Sequence, residues 1–482
     1  MKKLNVIYAF IVSLALLTAC NDDDTFTLNT TNRLMFSVDT VRLDTVFSRI
    51  PTSTKTFWVY NQSGDGIRCT NVRLEKGNQM GFRVNVDGIY LGETSGYQVN
   101  DIEVRNKDSI RVFVELTSAM ANQLQPKEIE DNLIFQLESG VQQKVNINAW
   151  IWDAEVWKDK VISNDTTIQP NQPIIVYGKV KIEEDATLSL AAGTTLYFHD
   201  GAGMDVYGRL ISQGTVDNNV VLRGDRLDRM FDNLPYDRVS GQWDGIRFYE
   251  TSYNNFIDYT DLHSAKDGIV CDSSSVDQLK LTLQNSIVHN CKGYGVRSIS
   301  SQINIINCQI TNSLMDCVSI VGGKVLINHC TIAQFYPFNA ERGAALWCSN
   351  YLGDIKYPLD DLTCYNSMIT GYADDVVYLI SQKDDETPMN YRFDHCLLRT
   401  PQPKEANDKM TEIIWEDNTK EAFEGKKNFR LLNTDDLLYD FRLDSISKAI
   451  DSGNANYTTI MDRLGIARDE KPDLGCYEYV KQ

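Results

Sequence analysis

Three adjacent pairs of aspartates are the side chains of this sequence best suited to chemistry. They are Asp360-Asp361, Asp374-Asp375 and Asp384-Asp385. Two carboxylates on opposite sides of a sugar can hydrolyse its glycosidic bond. A carboxylate cluster can instead hold Ca²⁺ while a basic side chain removes a proton next to a carbonyl group. Asp374 and Asp375 are therefore the candidate catalytic residues, and Ca²⁺ is the cofactor that such a cluster would use.

The sequence around these pairs argues against catalysis. No Lys or Arg accompanies them at a matching position of the repeat described below. Asp is also a common turn residue, and Cys and His do not cluster at the spacing of a metal site. We therefore expect no catalytic residue, no cofactor and no metal, and a polysaccharide lyase or hydrolase remains an alternative.

Aromatic side chains offer a second kind of site. Trp347, Tyr351 and Tyr357 fall close together, within an interval that predicts a loop. Aromatic rings can pack against the apolar C–H faces of sugars. The sequence therefore predicts ligand binding at these three residues. The alternative is that the loop folds back and buries them.

Composition limits the possible partners. The chain has 482 residues, of which 42% are hydrophobic and 23% charged, which excludes wholesale disorder and a polytopic membrane protein. The 66 Asp and Glu outnumber the 47 Lys and Arg, giving a net charge of −19. Such a surface argues against nucleic acid and repels polyuronates, whereas neutral sugars, cations and basic proteins fit it.

The first residues have the pattern of an export signal. Lys2 and Lys3 precede the apolar stretch 6–17, which is too short for a membrane span. The segment Leu17-Thr18-Ala19-Cys20 resembles a bacterial lipobox, and the acidic run 21–24 resembles the surface-export tag of Bacteroidetes lipoproteins. The resemblance implies a signal peptide over 1–19 and an acylated Cys20 followed by a linker over 20–25. It also implies an outer-membrane anchor whose lipid is the first partner, with the protein on the extracellular face.

Residues 26–152 alternate between apolar and polar side chains. Examples are 56–60 (TFWVY) and 109–114 (SIRVFV), with turn signals between such segments. This period of two predicts an all-β sandwich. The segments FSVDTVRLDTVF, FWVYNQS and FRVNVDG resemble the immunoglobulin-like domains of Bacteroidetes surface lipoproteins. The resemblance implies a spacer or docking module without catalytic residues.

Residues 153–440 repeat. A small residue recurs two positions before an apolar one, at intervals of 26, 22, 22, 37 and 29 residues, which predicts coils of a parallel β-helix with inward-facing stacks. The ten cysteines after Cys20 are then small apolar residues rather than metal ligands. The pattern from Gly178 and the segment WDGI resemble the right-handed parallel β-helix (pectin-lyase-like) family. The pairs are Thr260/Leu262, Ser286/Val288, Cys308/Ile310, Cys330/Ile332, Ser367/Ile369 and Cys396/Leu398.

The tail, residues 441–482, resembles the C-terminal element of bacterial β-helix surface proteins. The resemblance implies that the tail caps the last coil. The matching residues are Asp462, Gly465, Arg468, Pro472, Asp473, Gly475, Tyr477 and Glu478.

Taken together, the sequence predicts an all-β chain in which an immunoglobulin-like sandwich precedes a right-handed parallel β-helix with a C-terminal cap. We expect a non-catalytic binding or adhesion protein at the cell surface, with a glycan or a surface protein as its ligand. The alternatives are the lyase or hydrolase named above and a structural spacer of the cell envelope.

Overall fold

The computed structural model describes residues 25–231, 233–382, 386–405, 407–416 and 424–481. The predicted signal peptide, Cys20 and the pair Asp384-Asp385 lie outside these residues. Contacts divide the chain into two units, Met1–Asp153 and Ala154–Gln482. Within the described residues no helix is long and apolar enough to cross a membrane. The helices present there are short 3₁₀ turns: Glu93–Ser95, Tyr236–Arg238, Glu424–Asn428 and Ala455–Tyr457.

The first unit consists of two five-stranded sheets. Their strand orders are β1-β3-β8-β5-β6 and β2-β10-β9-β4-β7. The pairs are antiparallel except β10 with β2. The strands are β1 (Met35–Phe36), β2 (Thr40–Phe47), β3 (Lys55–Tyr60), β4 (Ile67–Leu74), β5 (Phe82–Val86), β6 (Ile89–Tyr90), β7 (Gln98–Val104), β8 (Ser109–Leu116), β9 (Lys127–Leu137) and β10 (Gln142–Trp152).

Alternation of side chains builds the core of this unit. In β3, Phe57 and Val59 are buried while Trp58 between them is exposed. Successive side chains of a strand point to opposite faces, so one face of each sheet is apolar. Val112 of one sheet and Val145 of the other belong to the same buried cluster. The sandwich predicted from the period of two is thereby confirmed, and its immunoglobulin-like topology stays a prediction.

The second unit begins with strands that alternate between two sheets. One sheet has 19 strands and the other has nine. The first twelve strands of the unit are β11 (Glu155–Lys158), β12 (Val161–Ile162), β13 (Thr166–Ile168), β14 (Ile174–Tyr177), β15 (Lys179–Ile182), β16 (Thr187–Ala191), β17 (Thr195–Phe198), β18 (Gly203–Val206), β19 (Arg209–Gln213), β20 (Val220–Gly224), β21 (Arg229–Phe231) and β22 (Leu234–Pro235).

The same alternation continues to the end of the repeat. The hairpins β21–β22, β36–β37 and β43–β44 are antiparallel additions to it. The later strands are β23 (Ile246–Phe248), β24 (Asn255–Asp258), β25 (Thr260–His263), β26 (Ile269–Cys271), β27 (Leu279–Gln284), β28 (Ile287–Cys291), β29 (Val296–Ile299), β30 (Gln302–Ile306), β31 (Gln309–Ser313), β32 (Val318–Val321), β33 (Gly323–Asn328), β34 (Thr331–Gln334), β35 (Leu346–Ser349), β36 (Tyr351–Leu352), β37 (Ile355–Lys356), β38 (Leu359–Tyr365), β39 (Met368–Gly371), β40 (Val377–Ile380), β41 (Met389–Leu398), β42 (Met410–Trp415), β43 (Phe429–Asn433) and β44 (Leu438–Leu443).

Each coil contributes three strands, and each strand pairs in parallel with its equivalent one coil later. Ile287 of β28 pairs with Gln309 of β31, which pairs with Thr331 of β34. These partners are 22 residues apart, so the predicted coil length is confirmed. The unit is a parallel β-helix. The charged segment 404–432, for which the sequence allowed a helix, contains β42 and a 3₁₀ helix in its described part.

The predicted inward stacks are present. Thr260, Ser286, Cys308, Cys330, Ser367 and Cys396, and the apolar residues two positions later, are buried. The ten described cysteines are all buried and free, and the Sγ atoms of Cys364 and Cys396 lie 3.8 Å apart, too far for a disulfide. Burial raises the pKa of the Cys271 thiol to about 12, so this thiol is uncharged and poorly reactive at neutral pH.

The tail follows the side of successive coils. Asn307, His329 and Asn366 sit in the left-handed region at a turn that recurs once per coil, with φ of 58°, 51° and 47°. The tail forms a hydrogen bond with each of the three. Arg468 Nη2 donates to Asn307 Oδ1 (2.8 Å), and the Asn454 N–H donates to Asn366 Oδ1 (2.7 Å). The Gly475 carbonyl oxygen accepts from His329 Nδ1 at 3.3 Å. The tail therefore contacts the sides of earlier coils, in addition to the cap on the last coil that the resemblance implies.

Candidate functional site

Eight strands of the nine-stranded sheet, β15 to β40, each contribute one side chain to a row that we call the ladder face, and all of these side chains except the buried Ser319 are at least partly exposed. Each member is the register partner of the member on the next strand of the sheet. Adjacent strands are about 4.8 Å apart, so eight positions span about 34 Å. The ladder face consists of Lys181, Asp205, Arg247, Val270, Arg297, Ser319, Trp347 and Tyr378.

The strands of this sheet are short, and the residues on either side of a ladder side chain are buried. This burial fixes the direction in which the ladder side chain points. In β23, Ile246 and Phe248 are buried and Arg247 between them is exposed. Gly245 enters the strand with φ of 92°, and a Cβ there would lie 1.6 Å from the Asp267 carbonyl oxygen. Only glycine can therefore occupy this turn. The apolar neighbours and the glycine fix the direction of Arg247.

A polar groove of about 410 Å³ runs beside the first half of the ladder face. Arg247 donates to Asp272 (Nε–Oδ2 2.8 Å), and Lys179 pairs with Asp244. Because these positive charges are paired with carboxylates, the groove has little net charge. Its lining includes Lys179, Asp205, Asp244, Arg247, Tyr249, Lys266, Asp272, Tyr294 and Arg297.

Aromatic rings line the groove next to the charges. Tyr207 and Tyr249 stack with centroids 4.1 Å apart and an interplanar angle of 11°. The Arg247 guanidinium lies 5.0 Å from the Tyr249 centroid, and that of Arg297 lies 4.7 Å from the Tyr294 centroid. Each arginine is thus held over a ring face. The groove combines flat apolar surfaces with fixed hydrogen-bond donors and acceptors.

The electrostatics of the ladder face do not favour proton transfer. Burial, a hydrogen bond that the Tyr249 hydroxyl donates to Tyr207 and the charge of Asp205 raise the pKa of Tyr249 to about 12. The hydrogen bond to Asp272 raises the pKa of Arg247 further above its usual value. A general acid or base works best with a pKa near the working pH. Both shifts move away from neutrality, so neither Tyr249 nor Arg247 is suited to proton transfer near pH 7.

The structure separates the three predicted aromatic residues. Trp347 lies on strand β35, not on a loop as its sequence position indicated, and it pairs with Tyr378 of β40. Tyr351 belongs to the hairpin β36–β37 and Tyr357 follows that hairpin. Trp347 is partly buried and the Tyr378 side chain is 40% exposed. Trp347 therefore belongs to the ladder face, and the hairpin extends from the coil beyond it.

The two predicted catalytic aspartates lie in the turn between β39 and β40. Asp375 accepts a hydrogen bond from the Val377 N–H (3.2 Å). The Asp374 side chain is 73% exposed, and its Oδ1 lies 3.8 Å from Nη2 of the buried Arg399. Within the described ranges no group of three or more His, Cys, Asp or Glu is arranged to hold a metal ion. The contact of Asp375 is that of a turn-forming residue.

Comparison with known proteins identifies the repeat. Residues 164–332 match the family described as right handed beta helix region. The second unit is a right-handed β-helix over these residues. No curated protein matches the chain.

Two solved structures show a weak likeness to the chain that contains this β-helix. A family 123 glycoside hydrolase from Clostridium perfringens, studied for glycolipid glycan hydrolysis, is 7% identical with a TM-score of 0.18. The match covers 27% of this chain and 26% of the hydrolase, so this chain spans about a quarter of the length of the hydrolase. Dex49A from Penicillium minioluteum is 6% identical with a TM-score of 0.19, over 77% of each chain. These values carry no information about function.

Proposed function

We propose that the right-handed β-helix binds a neutral polysaccharide along the ladder face without cleaving it. The row of in-register side chains that ends in Trp347 and Tyr378 carries this proposal. A row of about 34 Å can contact several successive sugars of an extended chain. Paired charges and aromatic rings suit hydroxyl groups and C–H faces, whereas a net charge of −19 disfavours polyanions.

The double variant Trp347→Ala/Tyr378→Ala tests this proposal. We expect at least about 10-fold weaker retention on the polysaccharide spots that bind the wild-type chain, because two stacking surfaces worth about 1 kcal/mol each are removed. The measurement uses protein from residue 26 onward on a polysaccharide array. Each spot is read for bound protein, released reducing ends and unsaturated uronate.

Trp150→Ala provides the matched control, because Trp150 is 46% exposed and lies on β10 of the first unit. It should bind as the wild type does. Equal binding by the double variant would contradict the assignment of the ladder face. Release of product would show that the protein is an enzyme, and no binding at all would favour a protein partner or a spacer role.

We further propose that the chain is a lipoprotein anchored in an outer membrane through Cys20. The lipobox-like segment 17–20 and the acidic residues 21–24 support this anchor and its surface exposure. Two or more acyl chains hold a protein firmly on a bilayer without a membrane span. Metabolic labelling with palmitate should mark the wild-type chain and not Cys20→Ser. Equal labelling of both would contradict the proposal.

A further inference from the structure

A second cavity, of about 290 Å³, lies on the 19-stranded sheet, away from the ladder face. Three parts of the β-helix unit enclose it: strands β25, β28 and β31, the insertion that carries Asp237, and the hairpin β43–β44. Its lining is Asp237, Arg238, Asp261, His263, Ile287, His289, Asn290, Gln309, Pro337, Leu437, Leu438, Tyr439 and Phe441. We call it the histidine cavity.

One wall of the histidine cavity is a charge cluster. His263 Nδ1 bonds Asp261 Oδ1 (2.9 Å) and its Nε2 bonds Asp237 Oδ1 (2.8 Å), while Arg223 contacts the same Asp237 oxygen at 2.8 Å. Burial alone would lower the pKa of His263, but the two carboxylates raise it to about 9. His263 and Arg223 therefore pair with the two carboxylates, and a further cation of the lining, Arg238, donates from Nη1 to the Asp436 carbonyl (2.8 Å). The second oxygen of each carboxylate has no hydrogen-bond partner among the described residues.

His289 stands next to His263 on the following coil, as its register partner. Its Nδ1 bonds the Thr311 hydroxyl at 2.7 Å. Burial and the charge of His263 lower the pKa of His289 to about 4. Its ring is therefore neutral at pH 7, and its Nε2 has no partner within the part of the chain that the structure describes. This nitrogen is available to a ligand in the cavity.

The neighbouring wall is apolar and comes mainly from the hairpin β43–β44. Tyr439 and Phe441 stack with centroids 5.9 Å apart and an angle of 12°. Both rings meet His289 edge to face, at 5.7 and 6.4 Å. Leu438, 38% exposed, and Pro337 extend this wall. The cavity thus places hydrogen-bonding groups beside an apolar wall.

We infer that the histidine cavity binds one neutral pyranose ring. Its volume lies at the lower end of the range for small-ligand pockets, about 300 Å³, so a single ring is the expected size. A pyranose has hydroxyl groups for the carboxylates and His289, and a C–H face for the aromatic wall. Each charged group of the cluster already has a protein partner, with Arg238 on the Asp436 carbonyl, so none is set aside for an acidic or basic sugar. The site is separate from the ladder face and does not depend on it.

The test uses saturation-transfer NMR and calorimetry with defined sugars. The probes are the methyl pyranosides of glucose, galactose, mannose, xylose and fucose, with glucuronic acid and glucosamine as charged probes. At least one neutral glycoside should bind with a dissociation constant of about 1 mM, as expected for a ligand of this size. His289→Gln and Leu438→Trp should each weaken that binding at least 10-fold, by removing the ring nitrogen or by filling the cavity.

Leu431→Trp is the matched control, because Leu431 is 44% exposed on the same hairpin and does not line the cavity. It should bind as the wild type does, as should Trp347→Ala/Tyr378→Ala, which separates this site from the ladder face. The inference is overturned if no neutral glycoside binds, if only charged sugars bind, or if Leu438→Trp binds like Leu431→Trp. Leu438→Trp decides the outcome even where His289→Gln does not fold.

Discussion

Replacing Asp462 with alanine is expected to lower the free energy of unfolding of the β-helix unit by about 4 kcal/mol. Asp462 has no exposed surface. Its Oδ1 accepts the N–H groups of Leu464 and Ile466, both at 2.8 Å, and its Oδ2 accepts that of Glu478 at 2.9 Å. Alanine would leave three N–H groups without their acceptor, at a cost of about 1–3 kcal/mol each where they stay buried.

The effect should be visible as detachment of the tail. In Asp462→Ala, hydrogen exchange of the amides in residues 458–481 should become fast at urea concentrations that leave the wild-type tail protected. Asp462→Asn keeps one acceptor oxygen and should lose less stability. Glu470→Ala, at an exposed position of the same tail, is the control and should behave as the wild type does. Protection of the tail in Asp462→Ala equal to that in the control would refute the role given to this carboxylate.

The same network shows what the sequence could and could not predict about the tail. The spacing of Asp462, Arg468 and Glu478 identified the element, and the structure joins Arg468 to the Glu478 carboxylate. The position of the tail depends on contacts such as Arg468 with Asn307, which are 161 residues apart. No local pattern encodes a contact at that separation, so the path of the tail along the coils could not be predicted from the sequence.

The β-helix itself was predictable because the same residue types recur once per coil. Small and apolar residues recur at the positions that face the interior of the coil. The constant pairing between neighbouring coils keeps these positions in register. The ladder face has a weaker signal of the same kind. Arg247 and Arg297 each follow a glycine and one apolar residue, in Gly-Ile-Arg and Gly-Val-Arg. Trp347 follows Ala-Leu instead, and the insertions around it vary the interval, so the sequence placed it on a loop.

The histidine cavity was less accessible to sequence reasoning. His263 and His289 are 26 residues apart, one of the intervals of the repeat, so their pairing on adjacent coils could have been found from the sequence. Asp237 lies in an insertion that has no counterpart in other coils, and Tyr439 lies in the hairpin β43–β44. Their approach to the histidines results from tertiary packing, which the repeat does not encode.

The pKa values of the two histidines of this cavity are shifted in opposite directions, and we expect their joint contribution to the stability of the β-helix to be largest near pH 6.5. The pKa of His263 is raised from 6.5 to about 9, so its contribution is complete below pH 6.5 and is lost as the pH rises to 9. The pKa of His289 is lowered to about 4, so stability is lost as the pH falls from 6.5 to 4, where the unfolded chain takes up a proton and the folded chain does not. Each shift corresponds to about 3 kcal/mol.

Two measurements separate these contributions from the rest of the chain. The sequence has five histidines, so the Cε1–Hε1 signals of His263 and His289 can be followed individually from pH 3.5 to 10. Asp237, whose pKa is lowered to about 2, stays charged across this range, and the pKa of Asp261 is lowered as well. In His263→Gln the pKa of His289 should rise, because a neighbouring positive charge is removed, whereas His199→Gln, at a half-exposed histidine outside the cavity, should leave both values unchanged.

Urea unfolding of the wild type minus that of His263→Gln/His289→Gln should then give a difference in stability that peaks near pH 6.5. Titration of both histidines within one unit of 6.5 would show that the charge cluster does not hold His263 as a cation, and would remove the reason for expecting a neutral ligand in the cavity.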